Sequence, residues 1–198
     1  MSRSKEIMSF VNKKIFYLQQ LEGSSQGNAE LAWLRRGIGK NPGEMPDLWG
    51  ILYEDMPDDF IGYTDEPSKE EWSCYTALTL FALHQQGMNI ASQCMHVKGK
   101  KIGQSLRMLS DALGDAGAED RVLKQLSALS TSKNRDEYAY HLRRIVCLLK
   151  SKKIPLDYGK LAADLYLLQC DEYASSVKLQ WARDFYRKSI GKALHSML

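Results

Sequence analysis

The residues of this chain best suited to chemistry are cations, and the chemistry they suit is the neutralisation of phosphates. Over residues 141–153 the sequence reads H-L-R-R-I-V-C-L-L-K-S-K-K, which places Arg143, Arg144, Lys150, Lys152 and Lys153 on one short segment. Tyr138, Leu142, Ile145, Val146 and Leu149 recur there at i, i+4, i+7, i+8 and i+11, the spacing of one buried helix face. Arg143 and Lys150 then lie near the edge of the stripe and Arg144 points away from it. The plainer alternative is a helix cap, since each cation in a last turn offsets the helix dipole by about 0.3 to 1 kcal/mol. Lys152 and Lys153 fit that alternative well.

Three other groups share the cationic character. Arg35 and Arg36 are adjacent, and Lys98, Lys100 and Lys101 surround Gly99 just before a predicted helix start. Free N–H groups and a positive dipole favour an anion at such an end, although a mobile, solvated loop reads equally well. Arg183 and Arg187 stand at i, i+4, a like-charge spacing that costs an isolated helix about 0.2 to 0.5 kcal/mol and that a bound phosphate would relieve. Charge is also divided along the chain. Residues 1–71 carry eight Lys and Arg against thirteen Asp and Glu, and residues 72–198 carry nineteen against eleven, so net charges of −5 and +8 lie behind the overall +3. One end attracts anions and the other repels them or meets a basic neighbour.

Catalytic patterns are lacking. His84, His96, His141 and His195 are far apart, and no H-E-x-x-H, Walker loop, G-x-S-x-G or dinucleotide fingerprint occurs. Cys94 and His96 would share a ligand only if their loop wrapped around it. Cys74, Cys94, Cys147 and Cys170 are scattered, as expected of reduced, mostly buried thiols. A helix-turn-helix over 156–168 and 175–187 is a contender, but its connection, 169–174, lacks glycine and is long for that motif.

The elements that must position these residues are helices. Periodicity predicts helices over 4–21, from an Asn28 cap to a left-handed Gly37, over 48–53, and from the capping box of Ser68 and Glu71 to Gln86. On that last helix Trp72, Tyr75, Leu78, Thr79 and Ala82 mark the buried side. Ile102, Leu106, Leu109 and Leu113 form a stripe closed by Gly114, followed by Val122, Leu126 and Leu129. Asp157 caps the next helix, with Leu156 and Leu161 as a hydrophobic staple, and a final helix spans 175 to about 197. The acidic tract 54–66 reads as irregular. An all-α bundle of eight or nine helices follows, as one domain over 1–198 with a possible seam near 114–117. No apolar run approaches the roughly 20 residues of a membrane helix. A cytoplasmic protein without membrane contact or cofactor is therefore expected.

The order of these motifs resembles the CasB family, the small subunit of Cascade, the type I-E CRISPR surveillance complex. L-A-W-L-R-R-G-I-G-K-N-P-G-E-M-P from Leu31 is similar to its arginine-bearing motif, E-W-S-C-Y-T-A-L-T-L-F-A-L-H-Q-Q-G from Glu71 to its aromatic helix, and residues 96–106 to its His-Lys-Gly loop. The C-terminal runs H-L-R-R-I-V-C-L-L-K-S-K-K-I-P-L-D-Y-G-K-L-A-A-D-L-Y and W-A-R-D-F-Y-R resemble it most. The resemblance implies a non-enzymatic bacterial protein, present as two copies along a crRNA-guided complex. There it would touch backbone and large subunits and hold target and displaced DNA strands without reading sequence. It carries over Arg35, Arg36, the lysines around Gly99, Arg107, Arg143 and Arg183 as nucleic-acid contacts. Arg144, Lys150, Lys152, Lys153 and Arg187 rest on charge. A structural adaptor whose basic face meets only protein is the competing expectation.

Overall fold

A computed structural model describes residues 2–187, and among these it has nine α-helices and no strand. They are α1 (Arg3–Gln20), α2 (Ser25–Arg36), α3 (Trp49–Tyr53), α4 (Lys69–Gln85), α5 (Ile102–Leu113), α6 (Ala118–Ser130), α7 (Arg135–Ser151), α8 (Tyr158–Leu168) and α9 (Asp171–Tyr186). The all-α class expected from periodicity holds.

α4 lies at the centre. Its capping box forms as its sequence predicts: Ser68 Oγ accepts from the Glu71 N–H at 2.9 Å and Glu71 Oε2 from the Ser68 N–H at 2.5 Å. Beyond the cap, burial is not confined to the predicted side, because every residue over 71–82 is buried. Two of the small polar residues bond their own helix. Ser73 Oγ donates to the Lys69 carbonyl at 2.6 Å and Thr79 Oγ1 to that of Thr76 at 3.1 Å. A helix apolar on all sides needs neighbours on all sides, and α1, α2, α7 and α8 supply them. From α7 the packing continues through α6, α5 and α9 back to α8, which closes a ring.

The predicted stripes point inward. Tyr138, Leu142, Ile145, Val146 and Leu149 of α7 are buried, as are Ile102, Leu106 and Leu109 of α5 and Val122, Leu126 and Leu129 of α6. Gly114 closes α5 in the left-handed conformation at φ 71°. The turn at 114–117 joins two packed helices, and one buried apolar cluster draws on all nine.

Several boundaries differ from expectation. The cap of α2 is Ser24, whose Oγ accepts from the Gly27 N–H at 2.9 Å, rather than Asn28. Gly37 is right-handed at φ −76°. Space demands glycine there, since a Cβ would lie 2.6 Å from Tyr75 Oη and 2.7 Å from Leu48 Cδ1. α9 starts at Asp171, so residues 169 and 170 alone connect it to α8. Its polar first turn carries no apolar stripe, yet Asp171 and Glu172 suit a helix N-terminus. The predicted continuation to about 197, with His195, lies outside the described residues. The acidic tract is not wholly irregular: it holds a 3-10 turn at Asp58–Phe60 with Phe60 fully buried.

α4 and α8 also meet through a polar contact. His84 is 0% exposed, with Nδ1 2.9 Å from Tyr158 Oη, and that hydroxyl donates to the Leu80 carbonyl at 3.3 Å. Burial first, and the Lys150 charge second, lower this imidazole from the ordinary 6.5 to about 4. The unfolded chain therefore takes up the proton first. Stability falls as pH drops from about 6.5 towards about 4 and levels below that, by on the order of 3 kcal/mol in all. Urea unfolding of His84→Gln against pH should show that component removed. Parallel curves for variant and wild type would contradict it.

Candidate nucleic-acid interface

α7 turns its stripe to the core and exposes Arg143 and Arg144. Tyr140 and Arg143 line two concavities. One, of about 370 Å³, lies between α4, α7 and the loop after α2; the other, of about 490 Å³, runs along α7 with Leu148 against Gln125 of α6. Tyr140 is 58% exposed, with the Arg144 guanidinium 5.7 Å from its ring centroid and the His141 ring edge-on at 5.1 Å. Among the described residues neither arginine pairs with a carboxylate. Free cations beside an exposed aromatic ring suit a backbone and an unstacked base at once.

The basic loop at 98–101 is fastened to the start of α8. The Leu156 N–H donates to the Met95 carbonyl at 3.0 Å and the Val97 N–H to that of Leu156 at 3.2 Å. Asp157 is the clasp. Its Oδ1 accepts from the Lys160 N–H at 2.9 Å, capping α8, its Oδ2 accepts from the Gly99 N–H at 2.7 Å, and its own N–H donates to the Lys100 carbonyl at 2.7 Å. Gly99 adopts φ 82°, which favours glycine. Lys98 is left exposed and Lys100 half-buried.

The end of α5 departs from expectation. Asp184 of α9 is 1% exposed and lies against that first turn, its Oδ2 3.6 Å from Lys101 Nζ and its Oδ1 2.9 Å from Gln180 Nε2. A Cβ on Gly103 would collide with the Trp181 carbonyl and lie 2.9 Å from Asp184 Cβ. The protein's own carboxylate thus faces Lys101 beside that turn. Arg107 is bracketed likewise, 3.2 Å from Asp111 and 3.1 Å from Glu119, with its guanidinium over the Phe185 ring at 5.8 Å. Arg187 reaches Asp184 at 3.9 Å, whereas Arg183 is exposed with no ion pair among the described residues. The two-residue connection removes the loop-length objection to a helix-turn-helix. Recognition helices, however, read bases with their N-terminal residues, where α9 carries Asp171 and Glu172.

Lys150 donates to Gln86 Oε1 at 2.9 Å, at the end of α4. Lys152 and Lys153 lie past the last turn rather than within it, with N–H groups bonded to the Leu149 and Lys150 carbonyls and Lys153 left-handed at φ 52°. Arg35 is half-buried, which lowers its guanidinium, and Arg36 is exposed. Two groupings stand out among the cations: Arg143 and Arg144 on α7, and Lys101, Arg107 and Arg187 around the end of α9. Sequence reasoning missed two cations. Lys40 lines the first concavity with Arg143, and its signal was the G-I-G-K that follows the arginine pair. Arg135 is structural: it donates to the Pro67 and Ser68 carbonyls and to Gln169 Oε1 at 2.9, 3.3 and 2.8 Å and lies over the Trp72 ring at 5.5 Å.

Among the described residues no three His, Cys, Asp or Glu side chains converge as metal ligands, and no helix is long and apolar enough to cross a membrane. Comparison with known proteins decides the family. The family model described as CRISPR-associated protein Cse2 matches residues 30–186. The chain belongs to the Cse2 (CasB) family. The crystal structure of CasB from Thermobifida fusca matches with a TM-score of 0.74 at 30% identity, over 91% of this chain and 98% of that one. CasB from Thermus thermophilus shares the fold, with a TM-score of 0.63 at 23% identity over 94% and 99%. No curated protein sequence matches significantly. Cse2 family membership supports a place among the subunits of the CRISPR Cascade complex, and the matched span holds every expected contact except Arg187.

In this Cse2 protein one carboxylate both caps α8 and clasps the basic loop. Asp157→Ala should lower unfolding free energy by about 2 to 3 kcal/mol, a lost cap plus an unpaired N–H, and should abolish amide-exchange protection at Gly99. A loss below about 0.5 kcal/mol with protection retained would show that the clasp is dispensable.

Proposed function

We propose that this protein is the non-catalytic small subunit of a type I-E crRNA-guided complex, and that it stabilises the R-loop by holding target and displaced DNA strands through sequence-independent contacts. The observation that carries this reading is the unpaired Arg143 and Arg144 beside exposed Tyr140 in a member of a Cascade subunit family. Guide pairing reads sequence in such complexes, so a small subunit needs only phosphate contacts and base-tolerant stacking. Its protein partners would be the backbone subunits, the large subunit and a second copy of itself.

The adaptor reading differs in one respect, since it assigns the same face to an acidic protein surface. Arg143→Glu with Arg144→Glu separates the two readings, because among the described residues neither arginine has an ion pair whose loss would unfold the chain. Strand binding predicts a complex of unchanged composition by native mass spectrometry and an R-loop lifetime shortened by roughly tenfold or more, as expected for two lost phosphate contacts. Loss of the subunit from the complex would instead support the adaptor.

A further inference from the structure

The concavity between α4 and α7 is more elaborate than phosphate contacts require. Its volume of about 370 Å³ falls in the range, roughly 300 to 1,000 Å³, of small-molecule sites. Its lining includes buried Trp72 and Tyr75 of α4, exposed Tyr140, the cations Lys40 and Arg143, and the carboxylates Glu66 and Asp136. Two donors are unused. Thr76 is 6% exposed and Trp72 9%, and among the described residues neither the Thr76 hydroxyl nor the Trp72 indole N–H makes a hydrogen bond. Both atoms still reach solvent, unlike the sealed polar atoms elsewhere in the molecule. Buried Trp and Thr donors ordinarily find partners. Here they border a cleft whose lining carries three cations, Lys40, Arg135 and Arg143, against two carboxylates, Glu66 and Asp136. Arg135 is otherwise engaged, lying over Trp72 and bonded to the loop before α4, so it braces Trp72.

We propose that this cleft receives one unpaired nucleobase of a bound strand, with the adjoining phosphates on Arg143 and Lys40. The proposal rests on the strand-binding reading of the same face. A planar heterocycle matches the aromatic walls, and its ring nitrogens and carbonyl oxygens match the two idle donors. Any base has such acceptors, so the site is tolerant of sequence. Tyr140 belongs to both concavities. A strand crossing α7 therefore passes the opening.

The full-length protein can be titrated with oligothymidylate and with an abasic strand of equal length, which carries the same phosphates without bases. The wild type should prefer the base-bearing strand by roughly tenfold, the worth of one stacked base. Thr76→Val, nearly isosteric, and Trp72→Phe, which keeps a ring, should each cut that preference roughly 2- to 10-fold without changing the salt dependence. Arg143→Ala should weaken both strands alike. Equal affinity for the two strands would overturn the nucleobase site and leave strand binding standing, whereas no binding of either would overturn both. Competition by free thymidine monophosphate as effective as by the strand would assign the cleft to a free nucleotide and likewise overturn the proposal.

Discussion

A helix with no polar side must be surrounded, and that constraint on α4 organises the molecule. Residues 71–82 are buried around the whole circumference, and the Ser73 and Thr79 hydroxyls within that run bond backbone carbonyls of their own helix. Glu71, buried at its start, accepts N–H groups from Ser68 and from Gly62 and so draws the preceding loop onto the cap. With α1, α2, α7 and α8 packed around α4, Arg143 and Arg144 of α7 are left on the outer surface.

Three charged side chains then fix what the surface presents. Asp157 holds the lysine loop to α8, Arg135 holds the loop before α4 to α7, and Asp184 fastens Lys101 against α5. Each uses charge for architecture. The division that results is chemical: Lys101, Arg107 and Arg187 have carboxylate neighbours, and Arg143, Arg144 and Arg183 have none among the described residues. An unpaired arginine gains more from a phosphate than one that must first release a carboxylate.

Local signals were legible in the sequence, and distant ones were not. The stripe of α7, the capping box of α4, the Asp157 cap and the closure of α5 at Gly114 depend on residues within about one helical turn or two, and all formed as expected. The start of α9 was hidden by a polar first turn. Gly37 was read as a cap, although its need for glycine comes from Tyr75, distant in sequence. Asp157 reaches Gly99 across 58 positions and Arg135 reaches Pro67 across 68, contacts that no periodicity encodes. The Arg107 pair with Asp111 was available as an i, i+4 spacing, whereas its second carboxylate, Glu119, required the packing of α6. Lys40 joined Arg143 only once the loop after α2 was set against α7.

Cations that contact phosphates leave a thermodynamic signature in salt. The most direct measurement is the slope of log affinity against log salt for R-loop formation by the assembled complex, with wild-type protein and with Arg143→Ala and Arg144→Ala together. Each phosphate contact contributes roughly 0.7 to 0.9 to that slope, so the double variant should be shallower by about 1.4 to 1.8. An unchanged slope in a correctly assembled complex would contradict a strand-binding role for this face.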